Sequence, residues 1–174
     1  MVELPSDEGL LLALLNTTPT VGGEVTDRLA DTASAQAWIR EHAGEELEGE
    51  DLGLLRSTRD ALQALVRGEA TPAALTPALE GARYEPTIDQ FGITWHLVTP
   101  PARALSARAV VAWDSLRHDA PGRLRSCENT GECTLFFVDH SKSNSARWCS
   151  MAGCGNRMKA RRHYERRKSA RAAD

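Results

Sequence analysis

All four cysteines of this 174-residue chain lie in its last third, and their clustering constrains the fold more than any other feature. They are Cys127, Cys133, Cys149 and Cys154, and their spacing is C-x5-C-x15-C-x4-C. Two close pairs separated by about the length of a hairpin can surround one zinc ion with four thiolates. The spacing therefore predicts one structural zinc ion with no open coordination position, and so no metal-centred catalysis.

Other interpretations of these cysteines are a redox pair or disulfide switch, an iron–sulfur cluster, and free thiols in a core. Neither pair has the two-residue gap of the common redox motif. The first 126 residues contain no cysteine, which argues against thiols scattered through a core. Zinc is the interpretation that the spacing favours. If Cys127 does not bind the ion, His140 is the nearest substitute ligand along the chain.

The modest net charge of −3 conceals a strong asymmetry along the chain. Residues 1–120 contain nine arginines and no lysine against 19 acidic residues, a net charge of −10. Residues 121–174 contain 12 basic residues against five acidic ones, a net charge of +7. The asymmetry predicts two modules that meet near the breaker Ala120-Pro121-Gly122, and the second module suits a polyanion such as DNA.

Residues 1–120 carry the patterns of an α+β module that is mainly helical. In the helix predicted over residues 31–42 we expect Ala33, Ala37 and Trp38 to face inwards. Residues 82–98 contain β-branched and aromatic residues on both sides of Asp-Gln-Phe-Gly, which predicts a β-hairpin. Apolar residues at helical spacing predict the main helices over residues 10–16, 31–42, 51–67 and 102–118.

Residues 121–174 predict a small treble-clef-like zinc finger that ends in a basic helix. Leu135 to Val138 has the composition of a strand, and Ala146 to Cys149 is expected to return as its partner. Cys154-Gly155-Asn156 then opens a helix whose first backbone amides can face the zinc-bound sulfurs. Zinc would thereby hold the start of the basic helix in place.

Two blocks of this segment resemble a known family, the CGNR zinc finger. They are Leu135 to Ser141, and Arg147 to Arg157, which ends in the Cys-Gly-Asn-Arg run of the family's name. The first cysteine pair is one residue longer than is usual in that family, so we expect a looser knuckle. Leu10 to Thr17 is similar to the opening helix of the ABATE domain, which usually precedes such fingers. The resemblance implies an ABATE–CGNR architecture with one zinc ion. Proteins of this architecture are proposed to be bacterial stress-induced transcriptional regulators that bind DNA.

The predicted C-terminal helix carries basic residues on two sides, and a surface of guanidinium groups suits contacts with phosphates. At about 100° per residue, one stripe contains Arg157, Arg161 and Lys168, with Tyr164 among them. The candidate nucleic-acid contacts are Arg147, Arg157, Lys159, Arg161, Arg162, Arg166 and Lys168. Two alternatives stay open: a solvated basic helix, and a finger that docks on an acidic surface of its own or another copy. Arg157 could instead offset thiolate charge.

No group of residues indicates an enzyme, because the five histidines are dispersed and no phosphate-binding glycine loop is evident. We expect no catalytic residue and no membrane-spanning segment, and the lack of an export signal predicts a cytoplasmic protein. The functional hypothesis is a transcriptional regulator that binds DNA through its finger. The N-terminal module would sense a small-molecule effector or form a homodimer. The alternative is a structural or protein–protein interaction module with the basic finger docked on an acidic surface.

Overall fold

A computed structural model describes residues 7–21, 23–43 and 49–171 of the chain. Over these residues the fold is α+β, as predicted, with six α-helices and three two-stranded antiparallel sheets. The helices are α1 (Glu8–Leu15), α2 (Thr32–Ala43), α3 (Leu52–Arg67), α4 (Thr76–Leu79), α5 (Ala104–Asp119) and α6 (Asn156–Arg171). The strand pairs are β1 (Thr20–Val21) with β2 (Glu24–Val25), β3 (Arg83–Asp89) with β4 (Gly92–Val98), and β5 (Leu124–Ser126) with β6 (Phe136–Val138). None of the described helices has the length and apolar character needed to span a bilayer.

The main core forms where α1 packs against α5 and α3. The apolar run of α1 buries Leu11, Leu14 and Leu15, and the facing helices contribute leucines and small residues such as Leu62 and Ala109. Removing these side chains from water supplies the main favourable free energy of folding for the module.

Helix α2 joins this core through a different face from the predicted one. Ala35, Trp38 and Ile39 are buried, at the i, i+3 and i+4 spacing of a helical stripe, whereas Ala33 and Ala37 are exposed. The prediction of Ala33 and Ala37 as inward-facing residues was therefore wrong, and that of Trp38 is confirmed.

The starts of α3 and α5 are held together by two adjacent acidic residues. Asp51 caps α3, since its carboxylate accepts hydrogen bonds from the backbone N–H groups of Gly53 (2.9 Å) and Leu54 (3.1 Å). Glu50 accepts hydrogen bonds from the N–H of Leu105 at 3.1 Å and from the hydroxyl of Ser106 at 3.0 Å. Burial raises the pKa of Glu50 above its ordinary value, although these hydrogen bonds act in the opposite direction.

In the finger, β6 pairs with β5, so that Arg125 lies opposite Phe137. The prediction that residues 146–149 return as the partner strand was wrong. That segment is instead held by the carboxylate of Asp139, which accepts a hydrogen bond from the N–H of Ala146 at 2.7 Å. The guanidinium of Arg125 reinforces this by donating to the carbonyl oxygens of Ala146 (3.0 Å) and Asn144 (2.9 Å).

The finger packs on the N-terminal module through strand β6. Phe136 is 2% exposed and belongs to the same buried core as α1, α3 and α5. The guanidinium of Arg67 lies 4.9 Å from the centre of the Phe136 ring. The hydroxyl of Thr134 donates to the carbonyl of Thr18 at 2.8 Å and accepts from the N–H of Thr20 at 3.1 Å. Apart from Arg67, the side chains in these contacts are uncharged, although the segments that they join differ strongly in net charge.

Candidate zinc centre and nucleic-acid interface

The four cysteine sulfurs converge on one point in the finger. The Sγ atoms of Cys127, Cys133, Cys149 and Cys154 all lie within 4.8 Å of one another. The Sγ of Cys149 is 3.7 Å from the sulfurs of both Cys133 and Cys154. A tetrahedron with zinc–sulfur bonds of about 2.3 Å has sulfur–sulfur edges of about 3.8 Å. The donor set therefore fits one structural zinc ion.

The knuckle between Cys127 and Cys133 closes despite its extra residue. The N–H of Cys127 donates to the carbonyl of Leu135 at 2.8 Å, directly after β5 ends. The carbonyl of Asn129 accepts from the N–H groups of both Glu132 (3.0 Å) and Cys133 (2.9 Å), which forms the turn. These bonds bring Cys127, which is 1% exposed, to the cluster.

His140 does not join the cluster and so does not serve as a substitute for Cys127. Its Nε2 lies 2.9 Å from a carboxylate oxygen of Glu8, on the N-terminal module. Among the described residues, the potential metal-binding atoms that cluster in the finger all belong to cysteines.

The second cysteine pair is positioned by a π-helical turn, Met151–Gly155, that leads directly into α6. The hydroxyl of Ser150 accepts a hydrogen bond from the N–H of Gly153 at 3.0 Å, and the carbonyl of Ser150 accepts from the N–H of Gly155 at 3.0 Å. A Cβ atom on Gly153 would lie 2.9 Å from the Ser150 hydroxyl oxygen that caps the turn. Glycine at 153 therefore permits the cap, and Cys154 is carried on the turn that starts the basic helix.

Besides the neighbouring cysteines, the side chains of Asn129 and Arg157 donate hydrogen bonds to the Cys154 sulfur. Asn129 Nδ2 lies 3.7 Å from it and Arg157 Nη2 lies 3.6 Å from it. Burial raises the pKa of this thiol, but hydrogen bonds from Asn129 and the neighbouring cysteines outweigh burial and lower the pKa below its usual value. Burial raises the pKa of Cys133 and Cys149. The negative charge of four thiolates exceeds the positive charge of one zinc ion. The hydrogen bonds from Asn129 and Arg157 offset part of this excess at the sulfurs.

Sequence reasoning missed Asn129 and left the role of Arg157 open. Asn129 is 2% exposed, and its position inside the first cysteine pair was the one signal that could have identified it. Arg157 reaches both the Cys154 sulfur and, at 3.7 Å, a carboxylate oxygen of Glu132. This geometry places Arg157 beside the zinc cluster, while more than half of its side chain stays exposed.

A bound zinc ion would supply no reactive position here, because its four coordination sites are filled by protein sulfurs. It would join the knuckle that follows β5 to the turn that starts α6. Since β5 and β6 are in turn packed on α1 and α3, the start of α6 would be fixed relative to the N-terminal module. The chemistry of the centre is therefore structural.

Several basic side chains of α6 are exposed to solvent, and some of them lie together on one side of the helix. A cleft of about 580 Å³ is lined by Lys159, Arg162, Arg166 and Glu165. The Arg162 guanidinium also lies 5.8 Å from the centre of the Trp148 ring. Three of the candidate nucleic-acid contacts thus share one open surface on the same side of α6.

The other candidate contacts lie outside this cleft. Arg147 forms an ion pair with Glu128 at 2.5 Å and lies over the Trp148 ring at 5.2 Å. Arg161 is 3.5 Å from a carboxylate oxygen of Glu165, one helical turn away. The Arg147 and Arg161 side chains are about half exposed, and Lys168 is also exposed. Exposed ion pairs contribute about 0–1 kcal/mol, so a phosphate can displace such carboxylates.

These features define a class of protein in which a helical α+β module is joined to a structural zinc finger with a basic helix. Comparison with protein families agrees. Residues 8–121 match the ABATE family, described as "Putative stress-induced transcription regulator", and residues 123–167 match the CGNR zinc finger. The chain belongs to the ABATE family and carries a CGNR zinc finger, which confirms both resemblances. A search of curated proteins found no match.

Proposed function

We propose that this protein is a transcriptional regulator that binds duplex DNA through helix α6 of its zinc finger. The observation that carries the proposal is the combination of a basic helix with the cysteine cluster at its start. Residues 156–171 contain eight basic residues and one acidic residue. A helix whose start is fixed loses little conformational freedom when its side chains meet phosphates, which favours binding.

The cleft of Lys159, Arg162 and Arg166 is the part of the helix that we assign to the phosphate backbone. Its three cations converge on one surface, and Arg162 is supported from behind by the Trp148 ring. Arg147, Arg161 and Lys168 extend the basic surface beyond the cleft. Arg157 has a second role at the Cys154 sulfur, so its loss is expected to affect zinc binding as well as DNA.

The salt dependence of DNA affinity tests this proposal. Three to six phosphate contacts give a slope of about −3 to −5 in a plot of log affinity against log salt concentration. Changing Lys159, Arg162 and Arg166 together to alanine should weaken binding and make the slope shallower by about 2 to 3. Changing Arg28, Arg83 and Arg117 to alanine is the matched control, since it removes the same charge from exposed side chains of the N-terminal module. Equal effects of the two triple variants would contradict the assignment.

The alternative function is a protein–protein interaction module in which the basic finger docks on an acidic surface. The packing of β6 on α1 supports an interaction role for the finger. However, that contact is formed by Phe136, Thr134 and Asn16 rather than by the basic residues of α6. DNA affinity that is absent, or that does not change with salt, would favour this alternative.

The N-terminal module is proposed to regulate the finger by binding a small-molecule effector, by forming a homodimer, or both. A cleft of about 420 Å³ beside Tyr84, Leu79 and Trp113 has the size of a small-molecule site and is the place where we expect an effector. We propose no catalytic role for any residue. We also propose that the protein is located in the cytoplasm, where DNA is accessible.

A further inference from the structure

The β3–β4 hairpin has two chemically different faces. Residues directly opposite each other in an antiparallel pair point to the same side of the sheet. One face therefore carries only uncharged, largely apolar side chains, and we call it the apolar hairpin face. The apolar hairpin face consists of the pairs Tyr84 with Leu97, Pro86 with Trp95, and Ile88 with Ile93.

The opposite face of the hairpin is mostly polar, and several of its side chains have polar partners. Arg83 forms an ion pair with Glu85 at 2.8 Å. The hydroxyl oxygen of Thr87 lies 2.8 Å from Nε2 of His96. This face is suited to water, and the contrast makes the hairpin amphipathic.

The apolar hairpin face is covered at its base and exposed towards its tip. At the base, Leu97 lies near Val111 of α5 and is partly buried. Exposure then rises from 37% at Trp95 to 62% at Ile93 and 80% at Ile88. Phe91, in the turn, is 89% exposed. Within the described part of the chain, no element covers this end of the face.

Such a face is costly to leave in water. A two-stranded hairpin is only marginally stable alone, and exposed apolar patches above a few hundred Å² usually mark interaction sites. The exposed side chains of the face, with Phe91 and Leu79 beside it, present on the order of 700 Å². A standard interface buries about 800 Å² on each partner, so one partner could cover the whole patch.

We propose that a second copy of this chain covers the apolar hairpin face, with the two hairpins packed face to face across a two-fold axis. A two-fold axis brings the same patch of each copy together, which requires the patch to tolerate its own image. The six residues of the face are uncharged, so they do not bring like charges into contact although each N-terminal module carries a net charge of −10. An antiparallel arrangement sets the Phe91 tip of each hairpin towards the base of the other, where Leu79 and Tyr84 border the cleft beside α5.

This inference rests on the homodimer proposed above for the N-terminal module, and it names the surface through which the two copies meet. It brings two basic helices into one particle, so a regulator of this kind can contact two DNA half-sites. The proposed dimer uses the β3–β4 hairpin and the proposed DNA interface uses α6. An experiment can therefore disprove one proposal without disproving the other.

The test is the oligomeric state of the full zinc-loaded chain, measured by sedimentation velocity from about 1 to about 100 µM. The disruptive variant carries Ile88→Glu and Ile93→Glu, which place two charges in the proposed interface. The matched control carries Thr87→Glu and Thr94→Glu, on the neighbouring pair and on the opposite face. The wild type and the control are expected to dimerise. The disruptive variant is expected to show a dimer dissociation constant at least about a hundredfold higher.

Two results would overturn the dimer. One is a wild-type chain that stays monomeric at the highest concentration, because the face would then have no second copy on it even if a different partner binds there. The other is a disruptive variant that still dimerises like the control. Zinc content and circular dichroism show whether each variant is folded, and an unfolded double variant is replaced by Ile88→Glu alone. A monomer with salt-dependent DNA affinity would overturn the dimer while leaving the DNA proposal intact.

Discussion

The side-chain amide of Asn16 pairs with the backbone of Phe136 through two hydrogen bonds, although 120 residues separate them. Asn16 Nδ2 donates to the Phe136 carbonyl at 3.1 Å, and Asn16 Oδ1 accepts from the Phe136 N–H at 2.8 Å. The amide therefore acts as a short replacement for a neighbouring strand beside β6. It fixes the finger to the end of α1.

Changing Asn16 to alanine is expected to destabilise the protein by about 1–3 kcal/mol, because it leaves the Phe136 N–H and carbonyl without partners near the core. Asn16→Asp should also destabilise, since a carboxylate cannot donate to the Phe136 carbonyl. Chemical denaturation of the zinc-loaded chain measures both effects. Gln90→Ala, which removes an amide from an exposed turn, is the control and should change stability by less than about 0.5 kcal/mol. An Asn16→Ala variant as stable as this control would show that the pairing does not hold the two modules together.

Changing Asn129 to alanine should weaken zinc binding by about 10- to 100-fold, because it removes a hydrogen-bond donor from the Cys154 sulfur. Competition with a zinc-binding dye measures this effect. Asn156→Ala is the control, since the Asn156 amide donates to the Ala152 carbonyl at 3.4 Å rather than to a sulfur. Equal zinc affinity for the two variants would contradict the role assigned to Asn129.

Changing Asp139 to alanine is expected to loosen the segment that leads to Cys149. The Asp139 carboxylate accepts hydrogen bonds from the N–H groups of Ser141 at 2.9 Å and Ala146 at 2.7 Å. A hydrogen bond from the Ser141 side chain, together with these two from backbone N–H groups, lowers the pKa of Asp139 to about 2, so the residue is charged at neutral pH. Amide hydrogen exchange at Ala146 should become at least about tenfold faster in the variant. Asp89→Ala, which removes a similar bond to Phe91 in an exposed turn, should leave exchange at Ala146 unchanged.

Glu50 predicts a specific pH dependence of stability. Its pKa is higher in the folded protein than the ordinary value of 4.5, mainly because of burial. The folded state therefore binds more protons than the unfolded state between those two values, so stability falls as pH rises through that window. Glu50→Gln removes this contribution. Unfolding free energies measured from about pH 4 to pH 7 should show a smaller fall for the variant than for the wild type. A difference between the two proteins that does not vary with pH would disprove the assignment.

The zinc centre could be predicted from the sequence because cysteine is chemically distinctive and its spacing is local. Cys127 and Cys133 need only a short turn to meet, and Cys149 and Cys154 need only one helical turn. The same reasoning located α1, α3, α5 and the hairpin, since apolar periodicity reports which side of an element meets a core.

The partner of strand β6 could not be predicted in the same way. Leu124–Ser126 is only three residues long and contains Arg125 and Ser126, so it lacks the alternation of a strand. Its pairing depends on the knuckle that turns the chain back, and on Arg125 reaching the carbonyl groups of the next loop. Long-range contacts decide such a strand, and local propensity does not.

The contact between the finger and the N-terminal module was also beyond sequence reasoning. Asn16 follows the apolar run of α1 and occupies the C-cap position of that helix, and this local position gives no sign of a distant partner for its side chain. Its side chain forms hydrogen bonds with the backbone of Phe136, 120 residues away. Likewise, Asn129 reaches the Cys154 sulfur only because the knuckle and the π-helical turn meet around the cluster.

The most direct test of the zinc-anchored DNA interface is to measure metal content and DNA affinity on one sample, before chelation, after chelation and after zinc is restored. The account predicts one zinc ion per chain, loss of affinity for duplex DNA when the ion is removed, and recovery when it returns. The Cys149→Ser and Cys154→Ser double variant should behave like the chelated protein. Two results would contradict the account. One is a protein that contains no zinc after purification under reducing conditions, and the other is DNA affinity that chelation does not change.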